Sequence, residues 1–546
     1  MTYSKELISL IFPNDLLSPE ALEAQYPKRD IPHGAIVTRF APSPTGFIHI
    51  GGVYIAVLGK DLTFHSNGVF FIRIEDTDQK RKVDDSKTQF NTTFKYFGIE
   101  SDENDSNSIY GPFTQSKRAN IYLAYVKKLM EKNRAYPCFC TKEMLEEQTN
   151  EQKEAKVDLG YYGKWAKCSR LSEQQIKQKI DAGEPYVIRF RCNGDDNTVE
   201  FEDKIKGTIG LKNNINDIVI LKSSSEETRL PTYHLAHPID DHLMGVNLVL
   251  RADEWLPSVP LHFQLFDALE FERLPYAHIA PIMKLDGSSK RKLSKRKDPE
   301  ASVGYYMENG YPSKAVTAYL KSLANSRLLD ATIDECLSAQ IMLDEMPKAG
   351  ALLDITKLNH ISSNYIATLT NKEIGLELKK WALAYDMDLY NVIEKDFDYV
   401  CSAIDTDRIN DGKIRKDLSK WSDYKKVFGY FHNELFNYLE ITDERFENIS
   451  IETIKQVLGD FALHYAENLE NDSWMEVLQT VAKNAGFAIN NQEYKKEPEK
   501  FKGKLSDAIK IIRIALTGSA NGLNLHEVCK TIGSMEIKNR ISHVIN

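Results

Sequence analysis

Apolar and polar residues follow two different patterns along this chain, and the pattern changes near residue 310. Before that point, short apolar runs typical of buried strands alternate with segments whose apolar residues recur at helical spacing. From Tyr306 onward almost every segment has helical spacing. The first part is therefore predicted to be mixed α/β and the second part almost wholly helical.

The first predicted elements are a strand over Ala35 to Phe40, a helix from Gly51 to about His65 and a strand over Gly68 to Glu75. Strand, helix and strand in this order open a parallel sheet. Further strands are predicted in AYPCFC, PYVIRFR and DIVILKS, and a helix in RANIYLAYVKKLMEK. Late helices are predicted in YKKVFGYFHNELFNYLE, IETIKQVLGDFALHYAENL and LSDAIKIIRIAL, and an exposed loop in NNQEYKKEPEKFKGK.

Composition narrows the class of protein. A chain of 546 residues is expected to form three or four domains of about 150 residues each. Hydrophobic residues at 42% and charged residues at 27% are typical of a soluble protein. No apolar run approaches the roughly 18 residues needed to span a membrane, and the N-terminus lacks the apolar core of a signal peptide. Seven cysteines are too few for a disulfide framework. With a net charge of −9, any contact with nucleic acid requires a local basic face.

One stretch concentrates backbone-constraining residues where a helix should begin. It reads FAPSPTGFIHIGG, from Phe40 to Gly52, and joins the first predicted strand to the first predicted helix. In an open parallel sheet such a crossover lies at the carboxyl ends of the strands, where nucleotides bind, and a helix N-terminus there offers free N–H groups to phosphate. Taken alone, the stretch is also consistent with a simple turn.

A second stretch, KRKLSKRKD from Lys290 to Asp298, concentrates positive charge. Such runs are usually solvated surface charge. Here Leu293 and Ser294 interrupt the run and DGSS precedes it, which suits a mobile loop that closes on phosphate groups. Together the two stretches indicate a nucleotide site more specifically than either does alone.

The two stretches also resemble a known family. HIGG at His49 to Gly52 and KLSKR at Lys292 to Arg296 resemble the signatures of class I aminoacyl-tRNA synthetases. Their surroundings are similar to the bacterial-type glutamyl-tRNA synthetases over about residues 35 to 546; the matching segments include TRFAPSPTGFIHIGG, FIRIEDTD, PTYHLA, DDHLMGV, LRADEWL and KLSKRKD. Glutaminyl enzymes usually carry Glu-Pro-Asn where this chain has Ser43 to Thr45.

For ATP, the resemblance implies His49, Gly51, Gly52, Lys292, Ser294 and Lys295 as binding residues. His49 would donate a hydrogen bond to phosphate, and Lys292 and Lys295 would hold the departing phosphates, which makes these three the predicted catalytic residues. Activation joins the substrate carboxylate to the α-phosphate and expels pyrophosphate, so catalysis consists mainly of positioning and of neutralising negative charge. Magnesium is expected with ATP because the phosphates need a counterion.

Glutamate requires a cation for its side-chain carboxylate, a second contact for the α-carboxylate and an anion for its ammonium group. The planar fork of arginine suits a carboxylate. The resemblance assigns glutamate binding to Arg39, Ala41, Ser43, Glu75, Tyr233, His237 and Arg251. His237 stands where many family members have Asn, and a neutral His can still donate one hydrogen bond. Without the motifs, Arg39 and Glu75 would be interpreted as a surface salt bridge.

Three cysteines form a possible metal site. Cys138 and Cys140 are separated by one residue, Cys168 follows, and zinc takes four N, S or O ligands. Some members of the family hold zinc in the insertion that grips the tRNA acceptor end, with a histidine after the third cysteine. Here that position is Arg170, which cannot ligate, so Tyr162 or water is the predicted fourth ligand. Reduced cysteines without metal are the alternative.

The resemblance implies a Rossmann-type α/β catalytic core with an inserted acceptor-binding domain, followed by an all-α anticodon-binding half. The predicted domains are an N-terminal extension over 1–34, the catalytic domain over 35–110 and 216–285, the acceptor-end-binding insertion over 111–215, a lysine-loop and stem-contact domain over 286–365, and a helical anticodon-binding domain over 366–546.

The predicted function is a glutamate–tRNA ligase that forms glutamyl adenylate from glutamate and ATP and transfers the glutamyl group to the 3′ end of tRNA(Glu). A cytoplasmic monomer without membrane contact is expected. A non-discriminating enzyme that also charges tRNA(Gln), and a glutaminyl-tRNA synthetase, are alternatives. EDTD at Glu75 to Asp78 and DDH at Asp240 to His242 could also hold the metal of a hydrolase, but that leaves both signature stretches unexplained. A tRNA-binding regulator without catalysis would lack His49 or Lys295, and both are present.

Overall fold

The protein is described by a computed structural model that covers residues 3–44, 48–78, 86–195, 197–410 and 412–546. The chain divides into two compact units. The first contains Met1–Tyr305 and Thr317–Asp354, and the second contains Tyr306–Val316 and Ile355–Asn546. Among the described residues, every helix is too short or too polar to cross a lipid bilayer. The domain boundaries within these units stay predictions.

The strands, in chain order, are β1 Val37–Phe40, β2 Val69–Ile72, β3 Ala135–Cys138, β4 Val187–Phe190, β5 Thr198–Asp203, β6 Gly207–Lys212, β7 Val219–Leu221, β8 Val249–Ala252, β9 Tyr276–Ile279, β10 Met283–Asp286, β11 Ser289–Lys292, β12 Ile409–Asn410 and β13 Lys413–Ile414.

The helices, in chain order, are α1 Lys5–Ile11, α2 Pro19–Gln25, α3 Ile50–His65, α4 Ser86–Phe97, α5 Ala119–Glu131, α6 Lys142–Glu154, α7 Glu173–Asp181, α8 Tyr233–Leu243, α9 Val259–Leu269, α10 Val303–Asn309, α11 Ser313–Ala324, α12 Ile333–Ser338, α13 Ile355–Thr368, α14 Asn371–Tyr385, α15 Met387–Lys395, α16 Phe397–Asp405, α17 Tyr424–Phe428, α18 Ile451–His464, α19 Asn471–Asn484, α20 Asn491–Lys496, α21 Leu505–Thr517, α22 Leu525–Ile532 and α23 Ser534–Ile545.

Parallel strands form the centre of the first unit. β1 pairs with β2 through the crossover helix α3, with Val37 opposite Val69, and β8 pairs in parallel with β9. The two pairs lie side by side, because Asn247 Oδ1 accepts a hydrogen bond from Val37 N at 2.7 Å and Thr38 Oγ1 donates to Leu248 O at 2.8 Å. All four residues of β1 are buried, as expected for a parallel strand covered on both faces.

The first unit also contains antiparallel strands. The hairpin β5–β6 joins the central strands because the end of β5 pairs with the start of β9, with Asp203 opposite Tyr276. β3, β4 and β7 form a separate antiparallel sheet in the order β3–β4–β7. The first unit is therefore an α/β core, as the sequence pattern predicts, with antiparallel strand pairing that the pattern did not predict.

The N-terminal extension is folded onto the first unit. Leu7 of α1 and Leu22 of α2 belong to its hydrophobic core. Further along, Arg29 donates two hydrogen bonds to Glu103, at 2.6 and 2.8 Å, and its guanidinium lies 3.8 Å from the centre of the Tyr110 ring. This arrangement ties the extension to the loop that follows α4.

The described residues of the second unit are mainly helical and include the short hairpin β12–β13, and the unit departs from two local predictions. The segment YKKVFGYFHNELFNYLE forms a helix only over Tyr424–Phe428, followed by a 3₁₀ turn. Phe428 and Phe431 pack into one hydrophobic cluster and Leu439 into another, so burial in two cores prevails over helical periodicity. The predicted loop NNQEYKKEPEKFKGK is mostly exposed but contains α20, which the Asn490 side chain caps.

Candidate active site

A cleft of about 1110 Å³ opens at the carboxyl ends of β1 and β8. Its walls carry six of the seven residues predicted to bind glutamate: Arg39, Ala41, Ser43, Glu75, Tyr233 and Arg251. Parallel strands place the residues at their carboxyl ends along one edge of a sheet, which explains why positions so distant in sequence meet here. Residues 45–47 of the loop after β1 lie outside the described residues.

A buried chain of alternating charges forms one wall of the cleft. Arg39 Nε donates to Asp241 Oδ1 at 2.9 Å, and Arg73 donates to the same oxygen at 2.5 Å and to Glu75 at 3.0 Å. Burial raises the pKa of Glu75, although Arg73 and Arg39 oppose this shift. Burial also disfavours the Asp241 anion, but Arg39 and Arg73 prevail and hold the pKa of Asp241 well below its ordinary value. The network fixes Arg39 and Glu75 in position.

Arg251, which also lines the cleft, has uncharged partners. Its Nε donates to His278 at 3.0 Å, and Nη1 donates to Tyr233 OH at 3.3 Å and to His262 Nδ1 at 3.2 Å. Nη2 donates to the Trp255 carbonyl at 3.3 Å. Among the described residues, no carboxylate forms an ion pair with Arg251. Since the side chain is buried and its cation lacks a countercharge, this wall is suited to an anionic ligand.

His237 does not line the cleft. It is fully buried, its Nδ1 lies 2.7 Å from Asp241 Oδ2, and its Nε2 lies 3.0 Å from Tyr276 OH. Burial lowers the pKa of His237 to about 3, so the ring is neutral. Both ring nitrogens are thus used inside the protein, and the structure places His237 behind the wall that carries Arg39 rather than at its surface.

His49 is the N-cap of α3, the helix that begins inside the first signature. Its Nδ1 accepts a hydrogen bond from Gly51 N at 2.9 Å, so the proton of the neutral ring is carried by Nε2. A Cβ atom on Gly51 would lie 3.0 Å from that Nδ1, which explains the glycine. Burial lowers the pKa of His49 and the nearby Lys295 and Lys292 lower it further, whereas a hydrogen bond with the Leu293 backbone raises it. The two signature stretches are therefore neighbours.

The lysine loop is built on the hairpin β10–β11. Arg291 donates to both carboxylate oxygens of Asp298, at 2.6 and 2.8 Å, and Ser294 N donates to one of them at 2.9 Å. Asp298 is buried, and the hydrogen bonds from Arg291 lower its pKa strongly despite that burial. Lys292 lies 2.6 Å from Glu254, a residue that lines the cleft. Part of the basic run thus shapes the loop, while Lys292 pairs with a residue of the cleft but does not line the cleft itself.

The three cysteines converge in the first unit. The sulfur atoms of Cys138, Cys140 and Cys168 lie within 4.8 Å of one another, with Cys140 and Cys168 3.6 Å apart. Ligands of one tetrahedral zinc lie about 3.8 Å apart when each Zn–S bond is about 2.3 Å, so the cluster fits this metal. Tyr161 OH lies 3.2 Å from Cys140 Sγ and 3.5 Å from Cys138 Sγ.

The prediction of Tyr162 as a fourth ligand is wrong. Its hydroxyl donates to the Asp158 carbonyl at 2.6 Å, whereas Tyr161 reaches the cysteines. Tyr162 has extended backbone angles, and neighbouring side chains of an extended segment point to opposite sides. Arg170 donates to the Gly163 carbonyl at 3.0 Å, and guanidinium groups do not ligate metals.

Comparisons with known proteins agree with this arrangement. The family described as "tRNA synthetases class I (E and Q), catalytic domain" matches residues 35–360. The chain belongs to this class I synthetase family. A second family, described as "Anticodon binding domain", matches residues 413–545. The predicted family and the predicted fold class, an α/β catalytic core followed by a helical half, are confirmed.

Relatives of this synthetase match it over nearly the full length. It is 40% identical to the glutamate–tRNA ligase of Clostridium perfringens strain 13 over 99% of this chain and 100% of that protein. It is 38% identical to the glutamate–tRNA ligase of Acetivibrio thermocellus over 99% of this chain and 100% of that protein. A crystal structure of a glutamate tRNA ligase from Elizabethkingia meningosepticum in complex with its amino acid superposes with a TM-score of 0.74 at 25% identity, covering 93% of this chain and 99% of that one.

Sequence reasoning missed three residues that organise the synthetase site: Arg73, Asp241 and Asp298. Arg73 stands inside the apolar run FFIRIE, and Asp241 lies in the buried helix α8. A charge inside an otherwise apolar element is the available signal, because such a side chain is buried only with a partner. The identity of that partner depends on the tertiary structure.

Proposed function

We propose that this synthetase is a glutamate–tRNA ligase, which forms glutamyl adenylate from glutamate and ATP and transfers the glutamyl group to the 3′ end of tRNA(Glu). The predicted activity is confirmed by the names of relatives that match the chain over its full length. Within the site, the observation that carries the proposal is the buried Arg251 cation, which lines the cleft and has uncharged partners.

For glutamate, we assign the two carboxylates to Arg251 and Arg39 and the ammonium group to Glu75. Both arginines line the cleft, and the described hydrogen bonds use four of the five N–H groups of Arg251, which leaves one on Nη2 to donate to a carboxylate oxygen. An ammonium group near Glu75 would favour the ionised carboxylate against the burial that raises its pKa. The neutral amide of glutamine would leave the Arg251 charge uncompensated, which favours glutamate as the substrate.

For ATP, we assign phosphate contacts to His49, Lys292 and Lys295, with Ser294 and the glycines at 51 and 52 shaping the site. The neutral His49 ring holds its proton on Nε2, which donates to the Leu293 backbone, and a phosphate oxygen would replace that partner. In the first step a glutamate carboxylate oxygen attacks the α-phosphorus and pyrophosphate leaves. In the second step the hydroxyl of the terminal tRNA adenosine attacks the carbonyl carbon and AMP leaves. Magnesium would supply a counterion for the phosphates.

We also propose that zinc binds Cys138, Cys140 and Cys168, with Tyr161 as the fourth group. The three thiols and the hydroxyl already surround one point in the first unit. Zinc here would have a structural role, because it would tie the end of β3 to the turn that carries Cys168. A monomeric state, a cytoplasmic location and the choice between tRNA(Glu) and tRNA(Gln) stay predictions.

The test of the function is charging of purified tRNA(Glu) and tRNA(Gln) with labelled glutamate in the presence of ATP. We expect glutamyl-tRNA(Glu), and product on tRNA(Gln) would identify a non-discriminating enzyme. Charging with glutamine alone would favour a glutaminyl-tRNA synthetase, and metal-dependent turnover without ATP would favour a hydrolase.

The phosphate assignment is tested with Lys295→Ala, and Lys290→Ala serves as a matched control from the same basic run. Both lysines are exposed, but only Lys295 lies close enough to His49 to lower its pKa. We expect Lys295→Ala to reduce glutamate-dependent, tRNA-stimulated exchange of ATP and pyrophosphate at least about tenfold, the loss typical of one charge-assisted contact. Equal exchange by the two variants would overturn the assignment.

A further inference from the structure

A buried hydrogen-bonded chain leads from the hairpin β5–β6 to Arg251. Asp203 Oδ2 lies 2.6 Å from His278 Nδ1, and His278 Nε2 lies 3.0 Å from Arg251 Nε. Neither His278 nor Asp203 lines the cleft, and the side chains of both are fully buried. The two residues therefore act on any ligand only through Arg251.

The chemistry of the chain requires one tautomer of His278. The Nε atom of arginine is always a donor, so His278 Nε2 has to be the acceptor. A neutral imidazole with an acceptor at Nε2 carries its proton on Nδ1, where the Asp203 carboxylate accepts it. Burial lowers the pKa of His278, although Asp203 opposes the shift, and this agrees with a neutral ring.

We propose that Asp203 and His278 are positioning residues, which hold the Arg251 guanidinium in the orientation that receives the side-chain carboxylate of the amino acid. The inference rests on the proposed function, because it takes glutamate as the ligand of Arg251. With Nε bound to His278, the terminal Nη1 and Nη2 groups, which also contact Tyr233, His262 and the Trp255 carbonyl, lie at the cleft wall. A free rotation of the guanidinium would cost affinity for the carboxylate.

Asp203 also has a local structural role, which the test has to separate. Its Oδ1 accepts hydrogen bonds from the backbone N atoms of Ile205 and Lys206, each at 3.0 Å, at the turn between β5 and β6. Asp203→Asn keeps an oxygen for this turn and places an NH₂ group against His278 Nδ1. The ring is then forced into the opposite tautomer, whose Nε2–H faces the N–H of Arg251. The local structure is retained, but the contact with Arg251 becomes a repulsive pair of donors.

The expected result for Asp203→Asn is a rise of roughly tenfold or more in the KM for glutamate, the loss of about one charge-assisted hydrogen bond. The KM for ATP and kcat should stay within about twofold, because Arg251 does not contact the phosphate residues. Asp217→Asn is the matched control, since Asp217 is a buried carboxylate of the same unit that binds Tyr136 OH at 2.6 Å and Cys192 N at 2.8 Å. This control should leave the KM for glutamate within about twofold.

His278→Gln provides the rescue. The Gln Oε1 atom can take the place of Nε2 and accept from Arg251 regardless of residue 203, so the Asp203→Asn, His278→Gln double variant should have a lower glutamate KM than Asp203→Asn. His278→Asn, which is too short to reach Arg251, should raise the KM even if Asp203→Asn does not fold. An unchanged glutamate KM in His278→Asn, or a double variant as impaired as Asp203→Asn, would overturn the proposal. Failure of the wild-type protein to charge glutamate would instead overturn the proposed function.

Discussion

Arg73 and Arg251 are two buried arginines of one site, and their different partners predict opposite consequences of replacement. The Arg73 side chain is 0% exposed and pairs with Asp241 at 2.5 Å and Glu75 at 3.0 Å. Arg251 is 5% exposed and donates four hydrogen bonds to uncharged groups. We predict that Arg73→Met lowers the free energy of unfolding of the first unit by about 3–5 kcal/mol, because buried carboxylates lose their cation.

Arg251→Met should cost much less stability. Four hydrogen bonds of about 1 kcal/mol each are lost, but removing a buried cation without a countercharge offsets several kcal/mol. The net loss should be about 2 kcal/mol or less. Replacement of Arg251 should reduce glutamate binding more than replacement of Arg73. Glutamate at 100 times its Kd stabilises a binding-competent protein by about 2.7 kcal/mol. Arg251→Met should lose this stabilisation.

The assay is urea unfolding followed by tryptophan fluorescence, without and with saturating glutamate, and the transition of the first unit is identified by its response to the ligand. Two observations would refute the reasoning. One is an equal loss of stability in the two variants without glutamate. The other is full stabilisation of Arg251→Met by glutamate.

Three further predictions concern zinc, pH and the N-terminal extension. Protein purified with zinc should hold about one ion, and Cys168→Ser should lose it by elemental analysis; unchanged zinc content would argue against the site. Burial lowers the pKa of His234 to about 4 and the pKa of His237 to about 3, so below about pH 6.5 these histidines bind protons in the unfolded state but not in the folded state. The free energy of unfolding should therefore be lower at about pH 5 than at pH 7.5, by about 2 kcal/mol for each ring. Equal unfolding midpoints at the two pH values would contradict this. Arg29→Met should make the extension sensitive to protease, because it removes the buried ion pair with Glu103, worth about 3 kcal/mol. Lys28→Met, at an exposed position, should leave the protease resistance unchanged.

The elements closest to the site were predictable from local pattern. The strand, the crossover helix and the second strand lie where the apolar runs place them, as Val37–Phe40, Ile50–His65 and Val69–Ile72. Six of the seven predicted glutamate residues line one cleft. Residues at the carboxyl ends of parallel strands converge by geometry, so a correct strand assignment is sufficient to bring them together.

The local pattern of apolar residues gave wrong predictions where burial against distant residues determines the backbone conformation. The segment after Tyr424 has helical spacing, but Phe428 and Leu439 belong to different hydrophobic clusters, and one straight helix could not serve both. The same limit applies to Tyr161 and Tyr162. Spacing from the cysteines does not distinguish adjacent residues, whereas the extended backbone at Tyr162 turns one ring toward the sulfur atoms and the other away.

Sequence alone determined the family and the strand, helix and strand nearest the cleft, because the motifs and the apolar periodicity depend on neighbours within a few positions. Only the tertiary structure decided which charges are paired. Arg39 and Asp241 are 202 positions apart, and Asp203 and His278 are 75 apart. A buried charge is stable only beside a specific partner, and that partner is brought into contact by the packing of the whole unit. Among the described residues, the same packing gives Arg251 no carboxylate partner, which is the basis of its proposed role in binding glutamate.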